Sequence, residues 1–150
     1  MKEPSGASPR RMDQPSTDQL AAVWAPRLLA VLRIVTALLF IEHGTQKLFA
    51  FPGPFPGGQP SLLSLGGIAA VLEFFGGLLV LAGFLTRPVA FLLSGEMAIG
   101  YWLVHAPRNF FPVLNGGDSA ILFCFVFLYL SAAGPGAWSV DGRRGGYATP

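Results

Sequence analysis

Four apolar stretches dominate the chain, and each is about long enough to cross a bilayer as a helix. They run from about Leu28 to Phe51, from Leu65 to Phe84, from Pro88 to Val104 and from Ser119 to Ala133. A membrane-spanning helix needs roughly 20 predominantly apolar residues, with some allowance for tilt. The pattern predicts an all-α integral membrane protein, in which residues 27–136 form an antiparallel four-helix bundle.

The composition agrees with this class and argues against soluble ones. Hydrophobic residues make up 52% of the 150 residues and charged residues 12%, whereas a typical soluble domain carries about 25% charged residues. The net charge of +2 is small, and no basic patch is interleaved with aromatic residues, so we expect no nucleic-acid partner. The single cysteine, Cys124, can form neither an internal disulfide nor a CxxC pair.

Polar segments flank the spans and indicate their orientation. Residues 1–26 are rich in Pro, Ser, Asp and Gln and have no apolar period, which predicts a disordered tail. Residues 137–150 are predicted to form a second tail. The basic residues on the side of the two termini are Lys2, Arg10, Arg11, Arg27, Arg87, Arg143 and Arg144, against Lys47 and Arg108 on the other side. Because basic residues favour the cytoplasmic side of a membrane, we expect both termini in the cytoplasm.

Three charged residues, Arg33, Glu73 and Glu96, lie inside the apolar stretches. A charge at bilayer depth is costly, so it must face a partner or water, and it marks a candidate functional site. At about 1.5 Å of rise per residue all three fall near the middle of their spans, which predicts that Arg33 pairs with one glutamate or bridges both. The surplus acid makes Glu73 and Glu96 candidate proton carriers. A structural polar clamp that fixes helix register is the alternative.

A second polar set is predicted at the outer ends of the spans. Its members are Glu42, His43, Gln46, Lys47, His105 and Asp118. The candidate ligand-binding residues are Arg33, His43, Gln46, Lys47, His105, Asn115 and Asp118. The spacing of His43, Gln46 and Lys47 places them on one helical face, and Asp118 or Ser119 is expected to cap the fourth helix. Interfacial snorkelling and capping are the alternative role for this set. Two histidines at similar depth are the minimum for a haem, but nothing else indicates one, and we predict no metal site.

These motifs form an ordered series that resembles the DoxX family of small bacterial membrane proteins. The series consists of Arg33, His43-Gly44-Thr45-Gln46-Lys47-Leu48, Glu73-Phe74-Phe75-Gly76-Gly77, Gly83-Phe84-Leu85-Thr86-Arg87, Met97, His105, Asn115-Gly116-Gly117-Asp118, Gly134-Pro135-Gly136 and Ser139-Val140-Asp141. The resemblance covers about residues 27–142. It departs from the family at Asp118, where members often have Glu, so the side chain is one methylene shorter.

The resemblance implies a multi-pass protein of the bacterial cytoplasmic membrane with a link to redox chemistry. The family takes its name from a subunit associated with a thiosulfate:quinone oxidoreductase, and members often carry an oxidoreductase label without a demonstrated reaction. We therefore expect a membrane subunit or anchor of a quinone-linked redox complex that is not catalytic alone. No intrinsic cofactor is evident, a membrane quinone is the candidate ligand, and a soluble redox enzyme or a second copy of the chain is the candidate partner.

In this hypothesis Arg33 or His43 would bind a quinone carbonyl, and Glu73 or Glu96 would carry a proton. The apolar wall of the quinone slot would come from Phe40, Phe74, Phe75 and Phe91. A non-redox membrane protein, which transports protons or a small solute or acts as a scaffold, is the alternative function.

Overall fold

The computed structural model describes residues 16–144, and its only regular secondary structure within that range is helical. The elements are α1 (Thr17–Phe49), α2 (Leu65–Val71), a π-helical turn (Leu72–Gly76), α3 (Gly77–Ala82), α4 (Thr86–Gly100), a second π-helical turn (Tyr101–His105), α5 (Pro112–Asn115), α6 (Asp118–Ala133) and α7 (Val140–Arg144). Each π-helical turn continues the helix before it. The chain therefore forms four helical rods, at residues 17–49, 65–82, 86–105 and 118–133, and the predicted all-α class is confirmed for the described residues.

Two of these rods, Thr17–Phe49 and Leu65–Ala82, are long and apolar enough to cross a membrane, and the apolar helix Asp118–Ala133 is shorter. Large apolar side chains cover the outside of the rods. Leu28, Phe91 and Leu122, on three different rods, are each more than 60% exposed. A soluble monomer rarely exposes contiguous apolar surface on this scale, whereas a bilayer would cover it.

A small apolar core joins all four rods. It consists of Ala37, Phe40, Val80, Ala90, Leu93, Phe127 and Leu130, which are fully buried. The ring of Phe40 packs edge-to-face against Phe123 and Phe127, at centroid distances of 5.2 and 4.8 Å. Along the rods, α1 packs against the 65–82 rod, and α4 packs against α6.

The backbones of α1 and the 65–82 rod approach closely at Gly44. A Cβ atom at this position would lie 2.6 Å from the backbone nitrogen of Phe74, so only glycine fits. Phe74 belongs to the first π-helical turn, and such turns are frequent at functional sites. Gly44 therefore fixes which turn of α1 lies beside Glu73, the neighbour of Phe74.

The first helix begins earlier than the sequence suggested. Ser16 and Gln19 form a capping box, because the Gln19 N–H donates to Ser16 Oγ and the Ser16 N–H donates to Gln19 Oε1. The segment from Thr17 to Pro26, predicted to be disordered, is helical. The rest of that predicted tail, residues 1–15, lies outside the described residues.

The segment after α6 also differs from the predicted tail, because it packs back onto the rods. The Ala137 N–H donates to the carbonyl of Pro26, and the Asp141 N–H donates to the carbonyl of Gly83, both at 2.9 Å. Ser139 is buried and touches Gly83, whose φ of 66° ends α3. Residues 137–144 are thus part of the packed structure, and residues 145–150 lie outside the described part of the chain.

Asp141 caps α4 from a distant part of the chain. Its Oδ1 and Oδ2 atoms accept hydrogen bonds from the N–H groups of Leu85 (3.0 Å) and Thr86 (2.8 Å). Burial acts to raise the pKa of Asp141, but these hydrogen bonds and the nearby charge of Arg144 outweigh it and lower the pKa. The carboxylate therefore satisfies two of the amide groups that the start of a helix leaves free.

Candidate functional site

A buried ion pair joins α1 to the first π-helical turn. The Nζ atom of Lys47 lies 2.5 Å from Oε1 of Glu73. The Glu73 side chain is only 3% exposed and the Lys47 side chain 17%. When a pair is withdrawn from water to this extent, each charge stabilises the other. Removing one partner of a buried pair lowers the free energy of unfolding by roughly 3–5 kcal/mol.

The carboxyl group of Glu96, on α4, completes a cluster with this pair. Glu96 interacts electrostatically with both Glu73 and Lys47. Both carboxyl oxygens of Glu96 and the Oε2 atom of Glu73 are buried and have no hydrogen-bond partner among the described residues. Such atoms are rare in folded proteins and call for a proton, a water molecule or a bound group to satisfy them. We call Lys47, Glu73 and Glu96 the acid cluster.

Arg33 does not belong to the acid cluster, so the prediction that it neutralises Glu73 or Glu96 is wrong. Every acceptor that its fully buried guanidinium has in the described part of the chain is a backbone carbonyl. The acceptors are Pro135 (2.8 Å), Val80 (2.7 Å), Leu81 (2.5 Å), Trp138 (2.9 Å) and Ala137 (3.3 Å). We call Arg33 and these carbonyls the arginine clamp. It ties the end of α3 to the segment after α6.

Helix register explains why the clamp and the acid cluster are separate. Gly44 lies beside Phe74, next to Glu73, and Arg33 precedes Gly44 by eleven residues on α1. At 1.5 Å per residue this is about 16 Å along the helix. The prediction of a shared depth assumed that the first span begins at about Leu28, whereas α1 extends back to Thr17 without a break.

Lys47 was predicted to lie at an outer mouth with His43 and Gln46, but the three do not form one site. Lys47 turns inward to Glu73. His43 is exposed, and its ring packs edge-on against Phe123 of α6 at 5.7 Å. The backbone carbonyl of Gln46 accepts a hydrogen bond from the Gln59 side chain at 3.0 Å, which holds the following loop.

The remaining candidates, His105, Asn115 and Asp118, lie in or beside the loop between α4 and α6. His105 Nδ1 is 3.1 Å from the carbonyl oxygen of Asn115. The buried Asn115 side chain donates to the Asn109 carbonyl (2.8 Å) and accepts from the Gly117 N–H (2.7 Å). These contacts indicate that Asn115 organises the loop.

The prediction that Asp118 or Ser119 caps α6 is wrong. Gly117 occupies the capping position, and no side chain caps the helix. The Gly117 N–H is already bound by Asn115, which places the helix start one residue earlier than expected. Asp118 lies exposed in the first turn, where its charge interacts favourably with the helix dipole.

Sequence reasoning missed an apolar crevice of about 280 Å³ between α4 and α6. Its lining residues are Met97, Ala98, Tyr101, Trp102, Ala120, Ile121, Cys124 and Phe125. Small side chains on both helices, such as Ala98 and Ala120, leave this space.

The four phenylalanines predicted to form a slot do not converge: Phe40 is in the core, whereas Phe75 and Phe91 are 57% and 66% exposed. Within residues 16–144, no three His, Cys, Asp or Glu side chains could together hold a metal ion.

Comparison with known proteins identifies the family. The DoxX profile matches residues 28–106, more than half of the chain. An uncharacterized protein of Haemophilus influenzae is 41% identical over 128 residues, which cover 80% of this chain and 92% of the relative. Two inner membrane proteins of Escherichia coli are each 33% identical: YphA (79% of this chain and 91% of the relative) and YqjF (74% and 87%). No solved structure matches the chain. On this evidence the chain is a membrane protein that belongs to the DoxX family.

Proposed function

We propose that this protein is a multi-pass four-helix bundle of the bacterial inner membrane and a subunit or anchor of a quinone-linked redox complex. In this proposal the acid cluster handles protons. The observation that carries it is the charge imbalance of the cluster: two buried carboxyl groups, three of whose oxygens have no partner among the described residues, share one ammonium group.

The dimensions of the rods support the membrane topology. The 65–82 rod has 18 residues and α6 has 16, which correspond to about 27 and 24 Å at 1.5 Å per residue. The hydrocarbon core of a bilayer is about 30 Å thick. The turn at Gly83–Leu85 returns the chain antiparallel, and the excess of basic residues at the end that holds Arg27, Arg87 and Arg143 favours both termini in the cytoplasm.

The acid cluster has the chemistry that a quinone site requires. An ammonium group has three donors, and among residues 16–144 Lys47 uses one of them in a hydrogen bond to Glu73, so two can serve a carbonyl acceptor. The apolar part of the site would come from the crevice between α4 and α6, whose lining begins at Met97, the residue after Glu96. A quinone accepts two electrons and two protons on reduction. The electrons would come from a soluble partner enzyme, and Glu73 and Glu96 would bind and release the protons.

Quinone content tests this proposal. The protein is purified from native membranes in mild detergent, and its lipid extract is assayed for quinone per mole of protein. We expect about one quinone per chain in the wild type and at least a tenfold loss in Lys47→Met. Glu42→Gln, which alters an exposed acid on the same helix, is the matched control and should retain the quinone. Absence of quinone from the wild type, or equal quinone in Lys47→Met, would refute the quinone role.

Proton transport is the second candidate, because a surplus buried carboxyl group can bind and release a proton without a redox partner. Protein reconstituted in sealed vesicles with a trapped pH dye would then conduct protons in response to a pH gradient. We expect this flux to be abolished in Glu96→Gln and retained in Glu42→Gln. Flux without bound quinone would favour transport. If neither flux nor bound quinone is found, the role of the cluster is structural.

A further inference from the structure

A cavity of about 800 Å³ opens at the end of the rods opposite the acid cluster. It lies between α1, the first turn of α4, and the segment from the end of α6 to α7. Among the residues that line it are Leu29, Arg87, Ala137, Trp138, Asp141 and Arg143. This volume is within the range of small-molecule sites, which is about 300–1,000 Å³.

The rim of this cavity is basic. Arg143 is exposed at the opening. Arg87 also lines it, although its guanidinium donates to the carbonyls of Ser131 and Ala132 at the end of α6. The acidic residue here is Asp141, and both of its oxygens are held by backbone N–H groups. Its negative charge is therefore partly balanced. Within residues 16–144 the Arg143 side chain has no ion pair or hydrogen bond, so it can attract an anion.

Exposed indoles place the cavity at the level of lipid headgroups. Trp138, which lines the cavity, is 62% exposed. Trp24 is 54% exposed one turn before the cavity on α1, and Arg27 lies over its ring at 5.7 Å. Tryptophan prefers the membrane–water interface, where its apolar ring and polar N–H meet different environments. A ligand that fits this location has an anionic head and an apolar body.

We propose that this cavity binds an anionic phospholipid, with the headgroup phosphate at Arg143 and the apolar part against Leu29 and Trp138. Basic pockets between helices on the cytoplasmic side are suited to such lipids, because the basic side chain attracts the negatively charged headgroup. The proposal rests on the cavity, its basic rim and its indole, and it is independent of the redox role.

Fluorescence quenching tests the site directly. Replacing Trp24 and Trp102 by Phe leaves Trp138 as the sole tryptophan of the chain. This protein is reconstituted in phosphatidylcholine bilayers that contain either brominated phosphatidylglycerol or brominated phosphatidylcholine at equal mole fractions. We expect the anionic lipid to quench Trp138 at a lower mole fraction. Arg143→Gln should weaken its apparent affinity about fivefold, which corresponds to about 1 kcal/mol for one basic residue near the membrane surface.

Arg108→Gln is the matched control, because Arg108 is an exposed basic residue beyond the other end of the rods. It should leave the quenching unchanged. Equal quenching by the two lipids, or equal loss in both arginine variants, would overturn the proposal. Relief of the quenching by soluble glycerol 3-phosphate at matched concentration would identify a site for a soluble phosphate compound instead, which would also overturn it.

Discussion

Arg33 and Lys47 are two buried cations on the same helix with different kinds of partner, and the difference follows from their side chains. Arginine presents five N–H donors in a planar fork, which suits the group of carbonyls at the arginine clamp. Lysine is a compact point charge on a flexible stem, which suits the single carboxylate of Glu73. The chain thus uses arginine to join segments of backbone and lysine to balance a buried acid.

The pairing of Lys47 and Glu73 predicts a specific pattern of stability. Lys47→Met should lower the free energy of unfolding in detergent by about 3 kcal/mol, because it leaves Glu73 charged or forces it to take up a proton. The double variant Lys47→Met/Glu73→Gln should recover most of this loss, because no unpaired charge remains. Thermal unfolding at neutral pH measures both. A double variant that is less stable than either single variant would contradict the assigned pair.

Residue type predicts from the sequence which charged residues are buried, but it does not predict which of them pair with each other. A charged residue in an apolar stretch is expected to be buried, and Arg33 and Glu73 are buried. The identity of a charged residue's partner depends on helix register to within one turn, and helix ends can be predicted from the sequence only approximately. Lys47 lies near such an end, where snorkelling outward is the common expectation. Its inward direction depends on the close approach of α1 at Gly44, which sequence spacing does not show.

Contacts between α1 and the first π-helical turn determine the geometry of the acid cluster. Gly44→Ala should place a methyl group against the backbone of Phe74, where a Cβ would be 2.6 Å from its nitrogen. We expect a marked loss of thermal stability and, by separation of the helices, loss of the Lys47–Glu73 contact. Gly95→Ala is the control, because within residues 16–144 an added Cβ at Gly95 would meet no atom within 4 Å apart from its chain neighbours and the backbone of its own helix. It should be neutral or stabilising by up to about 1 kcal/mol, since alanine favours helix over glycine.

Asp141 makes the attachment of the C-terminal segment to α4 sensitive to pH, because protonation of its carboxylate weakens the attachment. Its pKa is lower in the folded protein than in the unfolded chain, where it is about 3.9. The stabilisation is therefore complete above the unfolded pKa and is lost as pH falls through the folded value. Asp141→Asn should lower the unfolding temperature at pH 7, and the difference from the wild type should shrink by about pH 3. A difference that is constant with pH would contradict this, and Glu42→Gln, at an exposed acid away from any helix start, serves as control.

Element bounds were predictable where the sequence carries a clear start or stop signal. Gly83 ends α3 close to the predicted end of the second stretch, and α6 begins at Asp118, one residue before the predicted Ser119. The early start of α1 also has a signal, the Ser16–Gln19 capping box, which the polar composition obscured. The return of residues 137–144 onto the rods depends on tertiary hydrogen bonds, and no local pattern predicts those.

The two ends of the molecule differ in the groups that they carry. The arginine clamp, the basic cavity and the folded-back C-terminal segment share one end, and the acid cluster lies about 16 Å further along α1. The all-α class and the family were accessible from the sequence, because they depend on hydrophobic length and on the order of motifs. The orientation of the protein depends on the side of the membrane on which its basic residues lie. The proposed topology assigns that side, and labelling can measure it.

Cysteine labelling tests that topology. In a Cys124→Ala background, single cysteines replace the exposed residues Thr17, Gln59 and Arg108. A membrane-impermeant maleimide should label positions 59 and 108 in right-side-out spheroplasts, and position 17 only after permeabilisation. Labelling of position 17 in sealed spheroplasts would reverse the proposed orientation, and labelling of 59 and 108 from opposite sides would exclude a four-span arrangement.

The arginine clamp also has a consequence for how the interior responds to protons. A guanidinium keeps its charge throughout the biological pH range, and backbone carbonyls have no proton to gain or lose. Neither side of the hydrogen bonds made by Arg33 therefore titrates in this range. The buried carboxyl groups of Glu73 and Glu96 can gain or lose a proton, so a proton-driven movement that begins at the acid cluster would displace that half of the molecule against the half that the clamp holds.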